Sequence, residues 1–186
     1  MASYKHLILK DSDQHLVGLP WQSFLERSYG AVIAGPLRQV VHGDGHRQWF
    51  TFQNGHKWKE AYAEKFKVVE TRSTPVLEQF FVVMDGSFAA WFFPQILTDP
   101  MLVDIDGEPV RSNWGPDMLW CGAAAEWSTT RTSCVVVPVI SKHDDTRQVV
   151  HWSTSGRRKY LNLQQEKRYE QSFPQWLFHN SSDVTQ

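Results

Sequence analysis

The chain has 186 residues with 19 Lys and Arg against 20 Asp and Glu, so its formal net charge at pH 7 is −1. A hydrophobic fraction of 41% with 21% charged residues is typical of a globular protein and excludes extended disorder and collagen-like repeats. The balanced charge gives no electrostatic reason to expect a polyanion as partner. We predict a single domain over residues 1–186.

Targeting and redox signals are weak in this sequence. The first residues contain no apolar segment of signal-peptide length, and the apolar stretch at residues 87–97 is shorter than the roughly 20 residues that a membrane helix needs. Two cysteines cannot form a disulfide framework. We therefore predict a small soluble cytoplasmic protein with no membrane partner. The sequence leaves open whether Cys121 and Cys134 lie close enough to bond, although a cytosolic setting would keep them reduced.

The N-terminal segment, residues 1–35, contains a short strand and one helix in this reading. Residues 6–9 are predicted as a strand because they are apolar and extended in character. A helix over 21–28 is predicted because Pro20 suits a first turn and apolar residues then recur at helical spacing. Gly30 is expected to end that helix.

The rest of the chain is dominated by strand patterns. Four hairpins are predicted from pairs of β-rich runs around polar turns: 48–63 around Asn54-Gly55, 78–93 around Asp85-Gly86, 101–111 around Asp106-Gly107, and 132–153 around residues 141–146. Residues 158–163 are predicted to add a further strand. Pro138 lies inside one of these runs, which indicates an edge position or a β-bulge.

Successive hairpins with little room for crossover helices predict an antiparallel meander. Closure into an up-and-down β-barrel over residues 36–179 removes exposed strand edges, and a β-sandwich or an α+β fold is the alternative. Residues 180–186 are expected to fray. A short N-terminal helix followed by an antiparallel barrel resembles the calycin-like proteins, which include lipocalins and fatty-acid-binding proteins. This resemblance concerns architecture and implies no functional residues.

Aromatic residues are unusually frequent, at 13% with nine Trp and eleven Phe. This is more ring surface than a minimal core needs, and ligand pockets are mostly apolar with a few polar groups that fix orientation. We predict a protein that binds a small apolar or aromatic molecule in a barrel cavity, with His56 and His151 as polar anchors. The predicted ligand-binding wall consists of Trp49, Trp58, Tyr62, Trp91 and Trp152.

Two other function classes remain open at this stage. A cofactor-independent isomerase, cyclase or hydrolase would use His56 or His151 as a general base beside Asp44. A protein-binding module, such as an immunity or inhibitor protein, would instead use exposed Trp and Tyr side chains as hot spots. The sequence does not decide whether there is catalysis.

The residues His42, Asp44 and His46 form the densest polar cluster of the sequence. Imidazoles at this spacing are able to coordinate a divalent metal, but no known metal-site motif is matched, and a solvated turn explains the same residues. We predict no metal and no cofactor, and leave open whether His42, His46 and His56 bind a metal.

Two further groups of residues are candidates for a functional role. Cys121 followed by small residues is a candidate thiol nucleophile with His151 as base, the alternative being a buried apolar cysteine. The basic residues at 157–159 and 167–168 alternate with tyrosines, as in proteins that bind single-stranded nucleic acid. Because Glu166 and Glu170 lie among them, we predict a solvated surface and no nucleic-acid partner.

Overall fold

The computed structural model describes residues 4–10, 14–16, 18–41, 47–50, 70–75, 77, 79–97, 116–144, 165 and 167–177. Within these ranges the strands are β1 (His6–Lys10), β2 (Gln14–His15), β3 (Ala31–Val41), β4 (Arg47–Phe50), β5 (Arg72–Ser73), β6 (Phe81–Asp85) and β7 (Thr132–Asp144). The α-helices are α1 (Trp21–Arg27), α2 (Gly86–Leu97) and α3 (Pro116–Trp127). Residues 167–172 are also helical, and a 3₁₀ helix follows at Pro174–Trp176.

The strands form one open mixed sheet in the order β1-β6-β3-β7-β2. β4 pairs with β3 beyond the end of β6, and β5 pairs with the other edge of β7. The two longest strands, β3 and β7, run parallel in the middle of the sheet, whereas the remaining pairs are antiparallel. The fold is therefore α/β, and the predicted antiparallel up-and-down barrel with its calycin-like outline is wrong.

The clearest local cause of this error lies at Asp85-Gly86, which was predicted as a hairpin turn. Asp85 instead caps helix α2, because its Oδ1 accepts hydrogen bonds from the backbone N–H of Ser87 at 2.8 Å and of Phe88 at 3.2 Å. Gly86 donates its N–H to the carbonyl of Lys5 at 3.0 Å. A Cβ at Gly86 would collide with the backbone carbonyl of Tyr4. Strand β6 thus passes directly into a helix where the sequence predicted a second strand.

Helix α2 forms because the apolar run of residues 87–97 also has helical spacing. Phe88, Phe92 and Ile96 recur every four residues and are buried, so one stripe of the helix faces the core. An aromatic-rich run of this length fits both a strand and a buried helix, and periodicity alone does not separate the two.

Several predictions near the N-terminus are confirmed. The strand at residues 6–9 is β1, and the helix at 21–28 is α1. Gly30 follows the helix with φ of 84°, the left-handed conformation that glycine adopts without a steric cost.

Pro138 lies at a β-bulge, as predicted, although its strand is central. The β3–β7 register passes from Pro36↔Val137 to Leu37↔Ile140, so β7 contains two more residues than β3 at this point. A bulge accommodates the missing N–H of proline inside a sheet. The strand then continues through residues 141–144, which were predicted as a turn and are in fact part of β7.

Other predicted strands lie wholly or partly outside the described residues. β4 matches the start of the first predicted hairpin, but it pairs with β3, and the Asn54-Gly55 turn is not among the described residues. The same holds for the predicted hairpin at 101–111, the strands at 147–153 and 158–163, and the tail at 180–186.

The core occupies both faces of the sheet. On one face, Phe24 of α1 packs with Phe81 and Val137, and the Phe24 and Phe81 rings meet edge to face at 5.9 Å. On the other face, Val82 and Met84 of β6 pack with residues of α2 and α3. Because strand side chains alternate between faces, β6 and β7 contribute to both layers, which explains their continuous apolar sequences.

A disulfide joins the helical layer to the sheet. Cys121 of α3 and Cys134 of β7 are bonded, with their Cα atoms 5.6 Å apart, and both are buried. The sequence leaves open whether these two cysteines bond, and in the structure they are bonded.

Much of the aromatic surplus is used in packing. Trp176 stacks on Phe173 with ring centroids 4.5 Å apart, and its ring centroid lies 5.5 Å from that of Trp91. Its indole Nε1 donates to a carboxylate oxygen of Glu126 at 2.5 Å. A Cβ at Gly122 would collide with the backbone carbonyl of Trp176, so α3 and the 3₁₀ helix approach closely. Among the helices of the described ranges, none is long and apolar enough to cross a membrane.

Candidate functional site

The central pair of parallel strands changes character along its length. In its first half, Ile33 and Ala34 pair with Cys134 and Val135, and all four are buried. In its second half, beyond the bulge, the paired residues are Arg38, Gln39, Val40 and Val41 with Ser141, Lys142, His143 and Asp144. Central strands covered on both faces are normally apolar throughout. The second half therefore differs in sequence from the buried first half.

Two short strands flank this second half. β2 pairs with β7 at Gln14↔His143 and His15↔Lys142, and β4 pairs with β3 from Arg38↔Phe50 to Val41↔Arg47. We call this four-strand region the polar sheet end, and define it as residues 14–15, 38–41, 47–50 and 141–144.

The register connects residues that are far apart in sequence into one row across four strands. Trp49 is the partner of Gln39, Gln39 is the partner of Lys142, and Lys142 is the partner of His15. The next row but one runs from Arg47 through Val41 to Asp144. Residues directly opposite each other in a sheet share a face and lie about 4.5–5.5 Å apart at Cβ. The row therefore contains an aromatic, an amide, a basic and an imidazole residue at successive register positions.

The polar sheet end also coincides with the carboxyl ends of the parallel strands, since β3 ends at Val41 and β7 at Asp144. In open α/β sheets, ligands bind beyond the carboxyl ends of parallel strands. The predicted polar cluster of His42, Asp44 and His46 follows Val41 in the sequence and lies outside the described residues.

Charge distinguishes this region from the whole chain. Its sequence contains Arg38, Arg47 and Lys142 against the single acidic residue Asp144, whereas the chain as a whole has a formal charge of −1. Lys and Arg supply several donors each and no acceptor, which suits them to carboxylate and phosphate oxygens. The sequence of the polar sheet end therefore contains more basic than acidic residues.

The structure places two of the predicted ligand-wall residues. Trp49 lies in β4 within the polar sheet end. Trp91 lies on helix α2, where its half-buried ring is 6.0 Å from Phe88 and 5.5 Å from Trp176 between centroids. The other predicted site residues lie outside the described residues and stay predictions: Trp58, Tyr62, Trp152, His56, His151 and Asp44.

Sequence reasoning missed the residues that share the row with Trp49. His15 was not singled out, and Lys142 was assigned to a turn because polar residues follow one another there. The signal that identifies them is the length of β7, whose apolar half continues into a polar half without a break in pairing.

Cys121 is excluded as a thiol nucleophile in this structure. Its sulfur is bonded to that of Cys134, and a disulfide sulfur has no thiolate to attack a substrate. The candidate pairing of Cys121 with His151, to which the sequence analysis offers a buried cysteine as the alternative, is therefore not possible in the oxidised chain.

A charged contact between described side chains lies at the opposite end of β7. Arg131 Nη1 is 2.8 Å from Asp85 Oδ2, and Nη2 donates to the carbonyl of Ala31 at 2.5 Å. The same guanidinium lies 5.9 Å from the ring centroid of Trp127. Arg131 thus ties the start of α2 to the start of β3, which is a structural role.

Burial raises the pKa of Asp85, but hydrogen bonds from Arg131 and from the backbone N–H groups of Phe88 and Ser87 outweigh it. The pKa of this carboxyl therefore lies below its ordinary value of 3.8. Asp85 stays ionised at neutral pH, as a helix cap and an ion-pair partner.

Metal binding has no support among the described side chains, where no three His, Cys, Asp or Glu residues come together in a group that could hold an ion.

Comparison with known proteins gives one distant structural similarity to report. No protein-family model matches the chain. No curated protein matches it. Among solved structures it is similar to a crystal structure of GalNAc-T7 with UDP, GalNAc and Mn2+, with a TM-score of 0.45 and 14% sequence identity. The alignment covers 88% of this chain and 31% of that one, so the chain spans about a third of its length. This similarity identifies neither a family nor a function.

Proposed function

We propose that the protein binds a small organic molecule with an aromatic group at the polar sheet end. The observation that carries this proposal is the change of the β3–β7 pair from a buried apolar half to a polar half at the carboxyl ends of both strands. The proposal keeps the aromatic ligand predicted from the sequence. It moves the ligand from the cavity of a barrel, which does not exist, to one end of an open sheet.

The polar residues of the polar sheet end fit a binding role better than a packing role, because they would stabilise the fold less than apolar residues would. Full burial of one Val, Leu or Ile side chain stabilises a fold by about 1.5–3 kcal/mol, and a charged residue at the same position contributes nothing comparable. Gln39, Lys142 and His15 stand in one row with Trp49 in the sheet register. A few polar groups beside an aromatic ring are the usual composition of a small-molecule site.

The test is a screen of aromatic fragments by ligand-observed NMR, followed by calorimetric titration of each hit. The variants are Trp49→Ala and, as a matched control, Tyr29→Ala, because Tyr29 is 93% exposed and follows α1. Loss of one stacking ring is worth about 1–3 kcal/mol, so Trp49→Ala should weaken binding roughly 5- to 150-fold. The Tyr29→Ala variant should bind like the wild type. Hits that bind both variants equally well, or a screen without hits, would overturn the proposal.

The cellular compartment is a separate part of the proposal. Structural disulfides form and persist in oxidising compartments and are rare in the cytosol. The buried Cys121–Cys134 bond therefore favours an oxidising compartment over the cytoplasm that the sequence analysis predicts. Thiol alkylation of the protein taken directly from its native cells, followed by intact mass measurement, tests this. Two alkylated cysteines would support the cytoplasm, and none would support the oxidising compartment.

A further inference from the structure

We infer that the protein forms a two-fold dimer in which strand β1 pairs with β1 of a second copy and helix α2 packs against α2 of that copy. This inference is independent of the proposed function. Two observations at the same edge of the sheet carry it. The outer side of β1 pairs with no other strand of the described ranges, and one flank of α2 is apolar, uncharged and exposed.

Strand β1 forms one edge of the described sheet, where its partner is β6. The hydrogen bond from the N–H of Gly86 to the carbonyl of Lys5, at 3.0 Å, fixes the phase of this pairing. Backbone groups alternate in direction along an antiparallel pair, so those of Leu7 face β6 and those of His6 and Ile8 point outward. His6 is exposed, and Ile8 is 48% exposed. An edge of this kind is a template for pairing with another chain.

The register centred on Leu7 suits two copies of β1. It pairs His6 of each copy with Ile8 of the other, and each such pair exchanges two backbone hydrogen bonds between groups that point outward. The lysines at positions 5 and 10 then stand opposite a leucine and a tyrosine, so no two basic side chains meet. A register centred on Ile8 would instead place Lys10 opposite His6 of the second copy.

Helix α2 has no charged residue in its 12 residues, and one of its flanks is exposed. The flank with Trp91 faces the C-terminal 3₁₀ helix, since its ring centroid lies 5.5 Å from that of Trp176. At 3.6 residues per turn, Ala90, Phe93 and Leu97 lie on the other flank. Ala90 is exposed, Phe93 is half-buried and Leu97 is 77% exposed. A helix that is apolar on all sides is normally covered on all sides, so this flank fits a further apolar surface.

The position of α2 over the sheet brings the two features together. Helix α2 contacts β1 and β6, whereas α3 contacts β7 and β3, so the flank of α2 that faces away from α3 lies toward the outer side of β1. A helix above the β1–β6 pair is one strand spacing, about 4.8 Å, from a two-fold axis between β1 and its copy. Two such helices are roughly 10 Å apart, close to the 8–10 Å at which helices pack. One axis therefore satisfies both the strand edge and the helix flank.

Charge favours a second copy as the occupant. A two-fold interface places a patch opposite itself, so a charged patch would repel its own copy, and α2 carries no charge. A lipid surface is the competing occupant. Helices that lie in a membrane interface are rich in Lys and Arg on their polar face, and α2 has neither. Lipid therefore enters the test as a separate arm.

The experiment is sedimentation velocity of the full chain from about 1 µM to about 500 µM. An interface of one strand and one helix is small, so we expect a dissociation constant of roughly 1–100 µM. Leu97→Lys should weaken the dimer about tenfold or more, because it places a charge from each copy in an apolar contact. Leu25→Lys is the matched control, because Leu25 is 43% exposed and lies on α1, on the other face of the sheet. It should dimerise as the wild type does.

A proline variant tests the strand pairing separately. Ile8→Pro removes an outward N–H from the edge and leaves the bonds of Leu7 to β6 in place, so it should weaken the dimer about tenfold or more. Ile8→Ala keeps the N–H and should retain the affinity within about threefold. Circular dichroism and thermal unfolding confirm that each variant is folded.

A dimer that both Leu97→Lys and Ile8→Pro weaken, and that Leu25→Lys retains, would support the inference. A monomer at every concentration would overturn it, and so would a dimer that only one of the two variants weakens or that neither does. If the wild type stays monomeric but sediments with vesicles of phosphatidylcholine and phosphatidylserine, and Leu97→Lys does not, the flank binds lipid and the inference fails. None of these outcomes bears on ligand binding at the polar sheet end, which the fragment screen tests.

Discussion

The two halves of the β3–β7 ladder differ although they belong to the same pair of parallel strands. The first half, around Ile33 and Cys134, is buried between α1 on one face and α2 and α3 on the other. The second half, around Gln39 and Lys142, is polar and is flanked by the short strands β2 and β4. The bulge at Pro138 separates them. One strand pair thus supplies both the centre of the core and the groups of the candidate site.

The largest expected effect comes from emptying the buried half. Ile33 is fully buried, so Ile33→Ala should lower the free energy of unfolding by about 2–5 kcal/mol through lost burial and the cavity left behind. Gln39→Ala in the polar half should change it by less than about 1 kcal/mol. Urea denaturation of both variants measures this contrast. Equal losses at the two positions would show that the polar half is also part of the packed core.

Loss of the disulfide should have the next largest effect. The bond closes a loop with a sequence separation of 13, and its removal in a Cys121→Ala, Cys134→Ala double variant should cost about 3 kcal/mol. Binding at the polar sheet end should not change, because the bond lies at the buried half. Denaturation measures the free energy of unfolding, and titration of the same preparation with a ligand measures the affinity of the polar sheet end. A weakened affinity without unfolding would show that the two halves are coupled.

The Asp85 contacts should have a smaller effect. Asp85→Ala removes the cap of α2 and the ion pair with Arg131, whose side chains are 22% and 32% exposed, and a lost cap alone costs about 0.5–2 kcal/mol. Asp85→Asn retains an acceptor for the cap and should cost less. Thermal unfolding of both variants shows whether the helix cap or the ion pair contributes more to stability. Equal losses of stability in the two variants would mean that the ion pair dominates.

The same carboxyl predicts a pH dependence. Because the pKa of Asp85 is lowered in the folded state, its contribution is fully present above its ordinary value of 3.8 and is lost as the pH falls through the folded-state pKa. The wild type should lose more stability than Asp85→Asn between about pH 4 and pH 2. Denaturation curves over this range test the sign, and parallel losses in the two proteins would contradict it.

The smallest expected effect is at the boundary between the halves. Pro138→Ala should lower the free energy of unfolding by about 0.4–1 kcal/mol, because proline restricts the unfolded chain. Amide hydrogen exchange should show that the register on both sides of the bulge is kept. A shift of the register beyond residue 138 would move Lys142 out of the row with Gln39 and His15, and should weaken ligand binding at the polar sheet end.

Features that depend on neighbouring residues were predictable. The helix at α1, its end at Gly30 and the strand β1 follow from spacing and from the conformational freedom of glycine. The bulge at Pro138 follows from the missing N–H of proline. In the candidate site, Trp49 was selected for its ring, but nothing in its local sequence indicates which residues are its neighbours across the sheet.

By itself, then, the sequence determined the local elements and the kinds of groups that the chain carries. The tertiary structure alone decided that Asp85-Gly86 begins a helix, since an Asp-Gly pair suits a tight turn as well as a helix start. It alone decided the parallel pairing of β3 with β7, which are about a hundred residues apart. Strand pairing over such distances depends on how all apolar faces are buried together, and no short-range pattern encodes it. The row that joins Trp49, Lys142 and His15 is a consequence of that pairing.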